Sequence, residues 1–427
     1  MSSNRNSVTV VGDPGTGAET PVDGLVGEQT IESYTDVDET TTHLIVGTDD
    51  GLVRETDDWQ TVEQPGTHSG VVVIVTDRRV VFVVGNCRDP DVDGDYVRSI
   101  DHADVENATA TNSLFTTRFS VTDASGVVLA VTPTETDGLE AIATTIERAT
   151  LRWQSANEFF DDFEKRLIAI EEAFAGGDDD TGRARRHRLI KELGDLGQTS
   201  SLNAVELPAL DADCEAARTR LDHATCRGYW IQARGLIETG DGHVDAGELA
   251  EAVAAYRGAC SAFQSLAETG GPTEAAFSDD SLSMDLGPFD LDDALIDRLD
   301  ACRVRATHED VAATAVWPPL VSGYEQFQSG LQRAGAELDI EPESVGETLD
   351  AVRQAADEAF ADAIEAEERR GDDAQDDGDS EQARAHFENA LELLDQRAAV
   401  TDEDDPDLRA RLDEKIERSK WEWVGDE

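Results

Sequence analysis

Lysine is almost missing from this chain of 427 residues: only Lys165, Lys191, Lys415 and Lys420 occur, and arginine supplies the rest of the 35 basic side chains. Against 93 acidic residues they leave a formal net charge of -58, which disfavours a chain that tracks nucleic acid or coats an anionic membrane. Long apolar runs are missing too. The longest stops after five residues at Thr76–Arg79, far short of the roughly 20 needed to cross a bilayer, so no integral membrane segment is expected. Five cysteines form an odd set with no CxxC pair, and no leader with a basic start and an apolar core precedes them. They read as reduced core residues of a cytoplasmic protein. The histidines are scattered, no serine or cysteine sits in a nucleophile turn, and no glycine-rich loop precedes a helix. No catalytic residue, cofactor or metal site is therefore expected, and the chain is read as not an enzyme.

The acids are spread over every segment instead of forming one tail. At ordinary ionic strength so much like charge would push a compact state apart, whereas at 1 M salt the Debye length falls to about 3 Å and the repulsion is screened. This acidic, arginine-for-lysine composition resembles that of proteins from halophilic archaea. It also discounts isolated acidic motifs. Asp89, Asp91, Asp93 and Gly94 open like a calcium loop, but Ile100 stands where the bidentate glutamate belongs. A second near match at Asp241–Glu248 lacks its opening ligands, and neither is taken as a site.

Residues Val71 to Gly85 read VVVIVTDRRVVFVVG, two β-branched runs around a polar tetrad, which predicts a tight hairpin between buried strands. Further strands are expected at 44–46, 51–54, 96–100, 116–121 and 127–131, with turns at Asp49-Asp50-Gly51 and Asp123–Gly126. Residues 1–30 lack periodicity and are expected to be a flexible tail. After Pro133 the apolar spacing becomes helical at Leu139, Ile142, Ala143 and Ile146. The VVVIVTDRRVVFV run, then SIDHADVENATATNSLFTTRFSVTDASG, then a terminal helix, resemble the bacterial and archaeal pleckstrin-homology-like domains. That resemblance implies a curved antiparallel sheet closed by one helix over residues 31–150, with the acidic stretch 86–95 as a departure.

From residue 151 to 427 one-face apolar stripes recur in pairs, predicting an α-helical hairpin domain with a loop insertion at about 270–290. Two segments, GELAEAVAAYRGACSAF from 247 and GDSEQARAHFENALEL from 378, align without gaps, pairing Ala252 with Ala383, Tyr256 with Phe387 and Ala259 with Ala390. They resemble the second helix of a tetratricopeptide repeat, although 131 residues separate the copies instead of tandem steps. The fold class expected is α+β, a sheet domain followed by helical hairpins.

The expected work is non-catalytic binding or scaffolding, with an unidentified protein partner on the helical domain and a ligand or partner on the sheet domain. A peripheral membrane module built on the sheet domain and an enzyme with an unrecognised site stand as alternatives. The basic cluster Arg183–Lys191 reads as paired with neighbouring acids, since phosphate binding weakens steeply with salt. Arg78 and Arg79 at the hairpin tip are candidates for an acidic partner or headgroup, or else structural turn arginines. Trp421 and Trp423 are candidate partner-binding aromatics, or else part of a terminal cap.

Overall fold

A computed structural model describes residues 9–11, 29–89, 91–112, 117–197, 205–271, 277, 290–307, 313–334, 342–401 and 403–422. Their contacts separate two units, Met1–Arg166 with Arg186–Thr219, and Leu167–Arg185 with Arg220–Glu427. The architecture is α+β, an antiparallel sheet region followed by helices.

In the first unit the strands are β1 (Thr9–Val11), β2 (Thr41–Glu55), β3 (Gln60–Glu63), β4 (Val71–Thr76), β5 (Arg79–Val84), β6 (Tyr96–Asp101), β7 (Val105–Asn112), β8 (Thr117–Asp123) and β9 (Val128–Pro133). The main sheet has the order β6-β5-β4-β2-β9-β8-β7, two antiparallel meanders joined where β2 meets β9. The predicted hairpin is present, β4 pairing β5 from Val71↔Val84 to Val75↔Val80. Its unbroken valine run follows from burial on both faces. Val71, Val73 and Val75 join Phe82, Phe119 and the Leu139, Ile142 and Ile146 stripe of α1 (Leu139–Asp161). Val72, Ile74, Val81 and Val83 form a second cluster with Leu44, covered by Ile31 and Tyr34 of a short 3-10 turn.

Three local expectations change. Residues 44–46 and 51–54 belong to one strand, β2, which shifts register between Gly47 and Leu52 instead of turning at Asp49–Gly51. Gly51 makes that irregularity possible: its φ is 91°, and a Cβ there would lie 2.4 Å from the Glu63 carbonyl oxygen. Thr9–Val11, inside the stretch read as a flexible tail, pair in parallel with His43–Ile45 of β2. Strand β7 was not anticipated, because VENATATN carries few apolar residues.

The helices that follow are α2 (Phe163–Ala175), α3 (Asp179–Gly197), α4 (Pro208–Ala246), α5 (Leu249–Glu268), α6 (Leu291–Ala306), α7 (Trp317–Ala334), α8 (Pro342–Asp376), α9 (Ser380–Thr401) and α10 (Pro406–Glu422). Three hairpins, α2–α3, α4–α5 and α8–α9, turn in one way, on Gly177, Gly247 and Gly378 with φ of 75°, 80° and 80°. After each glycine a backbone N–H (Asp178, Glu248, Asp379) reaches back to the carbonyl five residues earlier, at 2.9, 2.9 and 2.8 Å.

The aligned segments extend well beyond the second helix of each hairpin. Gly240 on α4 and Gly371 on α8 are 131 residues apart like the rest, and a Cβ on either would lie 2.4 Å from the Tyr256 or Phe387 ring. The next residue is an aspartate in both copies. Asp241 takes Arg298 of α6 at 2.7 Å, and Asp372 takes Lys415 of α10 at 2.7 Å. Leu291, Leu295, Leu299 and Cys302 of α6 recur on α10, at the same spacing, as Leu408, Leu412, Ile416 and Ser419. The chain thus contains a three-helix arrangement twice, α4–α5–α6 and α8–α9–α10. Of the expected 270–290 insertion, only 270, 271, 277 and 290 are described; Phe277 meets the Trp230 ring edge to face at 5.5 Å.

Candidate functional site

Thr76–Arg79, singled out by sequence as a hairpin tip, is the most heavily bonded turn of the first unit. Thr76 Oγ1 accepts the Arg78 and Arg79 N–H groups at 3.2 and 2.9 Å, which closes the turn locally. Asp77 is fully buried, and its carboxylate accepts the Thr40 N–H at 2.9 Å and the Ala209 N–H, in the first turn of α4, at 2.7 Å. Trp153 of α1 donates its Nε1–H to the Asp77 carbonyl at 2.8 Å. His102, 1% exposed, bonds the Thr76 carbonyl through Nε2 at 3.0 Å, so the proton is assigned to Nε2. Burial holds the imidazole pKa below its ordinary value.

Both arginines are engaged within this unit. Arg78 reaches both Asp213 oxygens at 3.2 and 3.1 Å and lies 5.3 Å over the Trp153 ring. Arg79 pairs with Glu39 at 2.9 Å and Asp36 at 3.1 Å. About a third of the Arg78 side chain and a fifth of Arg79 remain exposed. A partner meeting these arginines would compete with carboxylates already in place. Arg79 and Asp36 also line an open polar groove of about 950 Å³, together with Ser33, His68, Ser69 and Asn86. His68 and Asn86 have φ of 66° and 45°, the non-glycine positive values among the described residues.

In the second unit, a groove of about 500 Å³ runs along α8. Ala355, Ala359, Ala363 and Ala366 are half-buried along its wall, at the i, i+4, i+8, i+11 spacing of one helix face. Trp317, the first residue of α7, lines it at 1% exposure, and its Nε1–H has no acceptor among the described residues. Leu393 of α9 closes the far side, while Glu358 and Asp362 stand exposed on the rim. The site is a trough of small residues whose edge carries Glu358, Asp362 and Arg370, the last paired with Glu367, and one unsatisfied donor. No protein-family model, curated protein or solved structure matches this chain.

The other sequence candidates fall as follows. Trp421 belongs to the last turn of α10, whereas its side chain and the whole of Trp423 lie outside the described residues. Cys214, Cys226, Cys260 and Cys302 are buried free thiols, and burial pushes Cys226 and Cys302 up to about 11. Among the described residues no group of three or more His, Cys, Asp or Glu side chains is placed to hold a metal ion, and no helix is long and apolar enough to cross a membrane. In the basic cluster Arg183 meets Asp179 at 3.4 Å, and Arg185 donates to the Ala169 carbonyl at 2.7 Å. Sequence reading missed the α8 groove. The available signal was the 131-residue offset, which, carried back from the second helices into the first, sets Ala355 and Ala359 against Ala224 and Gly228.

Proposed function

We propose that this chain is a non-catalytic binding protein whose helical unit holds a protein partner in the α8 groove, with the sheet unit as a second binding module. The observation that carries the reading is the open trough of alanines beside the unsatisfied Trp317 donor. A buried donor without a partner costs about 1–3 kcal/mol, and a docked chain could supply its acceptor. Two meanders closed by α1 support the likeness of the sheet unit to pleckstrin-homology-like domains. The glycine under each hairpin aromatic supports the likeness of the helical copies to tetratricopeptide repeats. The cross-helix pairs Arg298–Asp241, Arg353–Glu325, Arg397–Asp357 and Lys415–Asp372 commit scarce cations to holding helices together, as suits an acidic protein adapted to concentrated salt.

The test is affinity capture from a lysate of the native host at its own salt, with the full chain as bait and Ala363→Arg as the groove-blocked control. A species retained by the unaltered chain and lost with the variant supports the reading. Identical captures by both baits, with the variant folded by circular dichroism, overturn it.

A further inference from the structure

We propose that the α8 groove receives an amphipathic helix carrying an aromatic anchor and, three residues before it, an arginine or lysine. This rests on the reading of the groove as a binding surface and adds the chemistry of its occupant. In the first internal copy the equivalent face is already covered. At the 131-residue offset, Ala355, Glu358 and Ala359 of α8 correspond to Ala224, Arg227 and Gly228 of α4.

That face of α4 seats α2. A Cβ on Gly228 would lie 2.7 Å from Phe174 Cβ and 2.9 Å from the Glu171 carbonyl oxygen, so helix and aromatic press directly on the small residue. Phe174 is 1% exposed, with its ring 4.6 Å from that of Tyr229. Three residues before it, Glu171 pairs with Arg227 at 2.7 Å. In the second copy the small residues remain and the groove is open among the described residues, but the charge at the pairing position is reversed, from Arg227 to Glu358. A helix seated as α2 is must therefore carry a cation where α2 carries Glu171. Helix α2 ends one residue past its aromatic, and a visiting helix ending likewise brings free last-turn carbonyls that can accept the Trp317 Nε1–H.

The probe is a labelled peptide of residues Phe163–Ala175 in three forms, unmodified, Glu171→Arg, and Glu171→Arg with Phe174→Ala. Binding to the full chain is read by fluorescence anisotropy, at the lowest salt that preserves the fold. The Glu171→Arg peptide should bind the unaltered protein about fivefold more tightly than the unmodified one, and Glu358→Arg should invert that order. Removing the aromatic, or filling the trough with Ala359→Trp in a protein whose circular dichroism is unchanged, should abolish binding. A preference that ignores position 358, or binding that survives Ala359→Trp, overturns the proposal. If no peptide binds while Ala363→Arg still abolishes capture from lysate, the helix is wrong and the binding surface stands. If capture is unaffected as well, both are wrong.

Discussion

Replacing Asp77 by alanine should be among the most damaging single changes in the sheet unit. Its carboxylate is fully buried and takes two backbone N–H groups from distant parts of the chain, Thr40 and Ala209. Each donor left without a partner costs about 1–3 kcal/mol, with the upper part of that range applying to Ala209, which is 2% exposed. The carboxylate's place at the N-terminus of α4 adds roughly 0.3–1 kcal/mol through the helix dipole. Relief from burying a charge offsets part of this, leaving a net loss of about 3 kcal/mol. Asp77→Asn retains one acceptor and the side-chain shape, so about half that loss is expected. Hydrogen exchange read by mass spectrometry on the peptides holding Thr40 and Ala209, beside denaturant unfolding in high salt, measures both local and global effects. Unchanged protection at Ala209 with a stability loss under about 0.5 kcal/mol would refute the role assigned to this carboxylate.

Three further outcomes are expected. Gly371→Ala and Gly240→Ala each gain about 1 kcal/mol of helix propensity but force a methyl into the Phe387 or Tyr256 ring, an overpacking worth about 1–3 kcal/mol. Both should lower the thermal midpoint, and an equal or higher midpoint would count against the close approach. His102 is held neutral by burial, so between its lowered folded pKa and the unfolded value near 6.5 the unfolded chain binds the extra proton. Stability should therefore fall as pH drops below about 6.5, and a His102→Gln variant should show a shallower slope in the same denaturation series. With a net charge of -58, the midpoint should rise between about 0.2 M and 3 M salt, and a salt-independent midpoint would oppose the screening argument.

Most of the fold was legible because its signals are local. The VVVIV and VVFVV runs can only be a doubly buried hairpin, and the 3.6-residue stripes of α5 and α9 place Tyr256 and Phe387 inward without outside help. What stayed hidden depends on partners far along the chain. Asp49-Asp50-Gly51 has turn composition, yet pairing of β2 with β3, β4 and β9 holds it within a strand. Asp77 looks like any turn aspartate until α4 arrives 132 positions later. Arg78 reads as a solvent-facing tip until Asp213 and Trp153 are placed beside it. The groove was the hardest to see, because an alanine stripe spells close packing and only the three-dimensional arrangement shows that nothing described lies on it.

The duplicated Gly-Asp pair makes the two three-helix copies behave as cassettes. In each, the interior is sealed by an aromatic sunk onto a glycine, and a cation of the closing helix meets the adjacent aspartate, Arg298 in the first copy and Lys415 in the second, where Lys415 and Arg411 also hold Glu368. Because those contacts are internal to each copy, a gene could lengthen or shorten such a chain by whole copies, with the joining segments free to diverge. The difference between the intervals shows that divergence: 131 residues separate the hairpins, but 117 separate Arg298 from Lys415. The closing helices should also be exchangeable. Placing the closing helix of either copy after the hairpin of the other would test whether the genetic unit and the packing unit coincide.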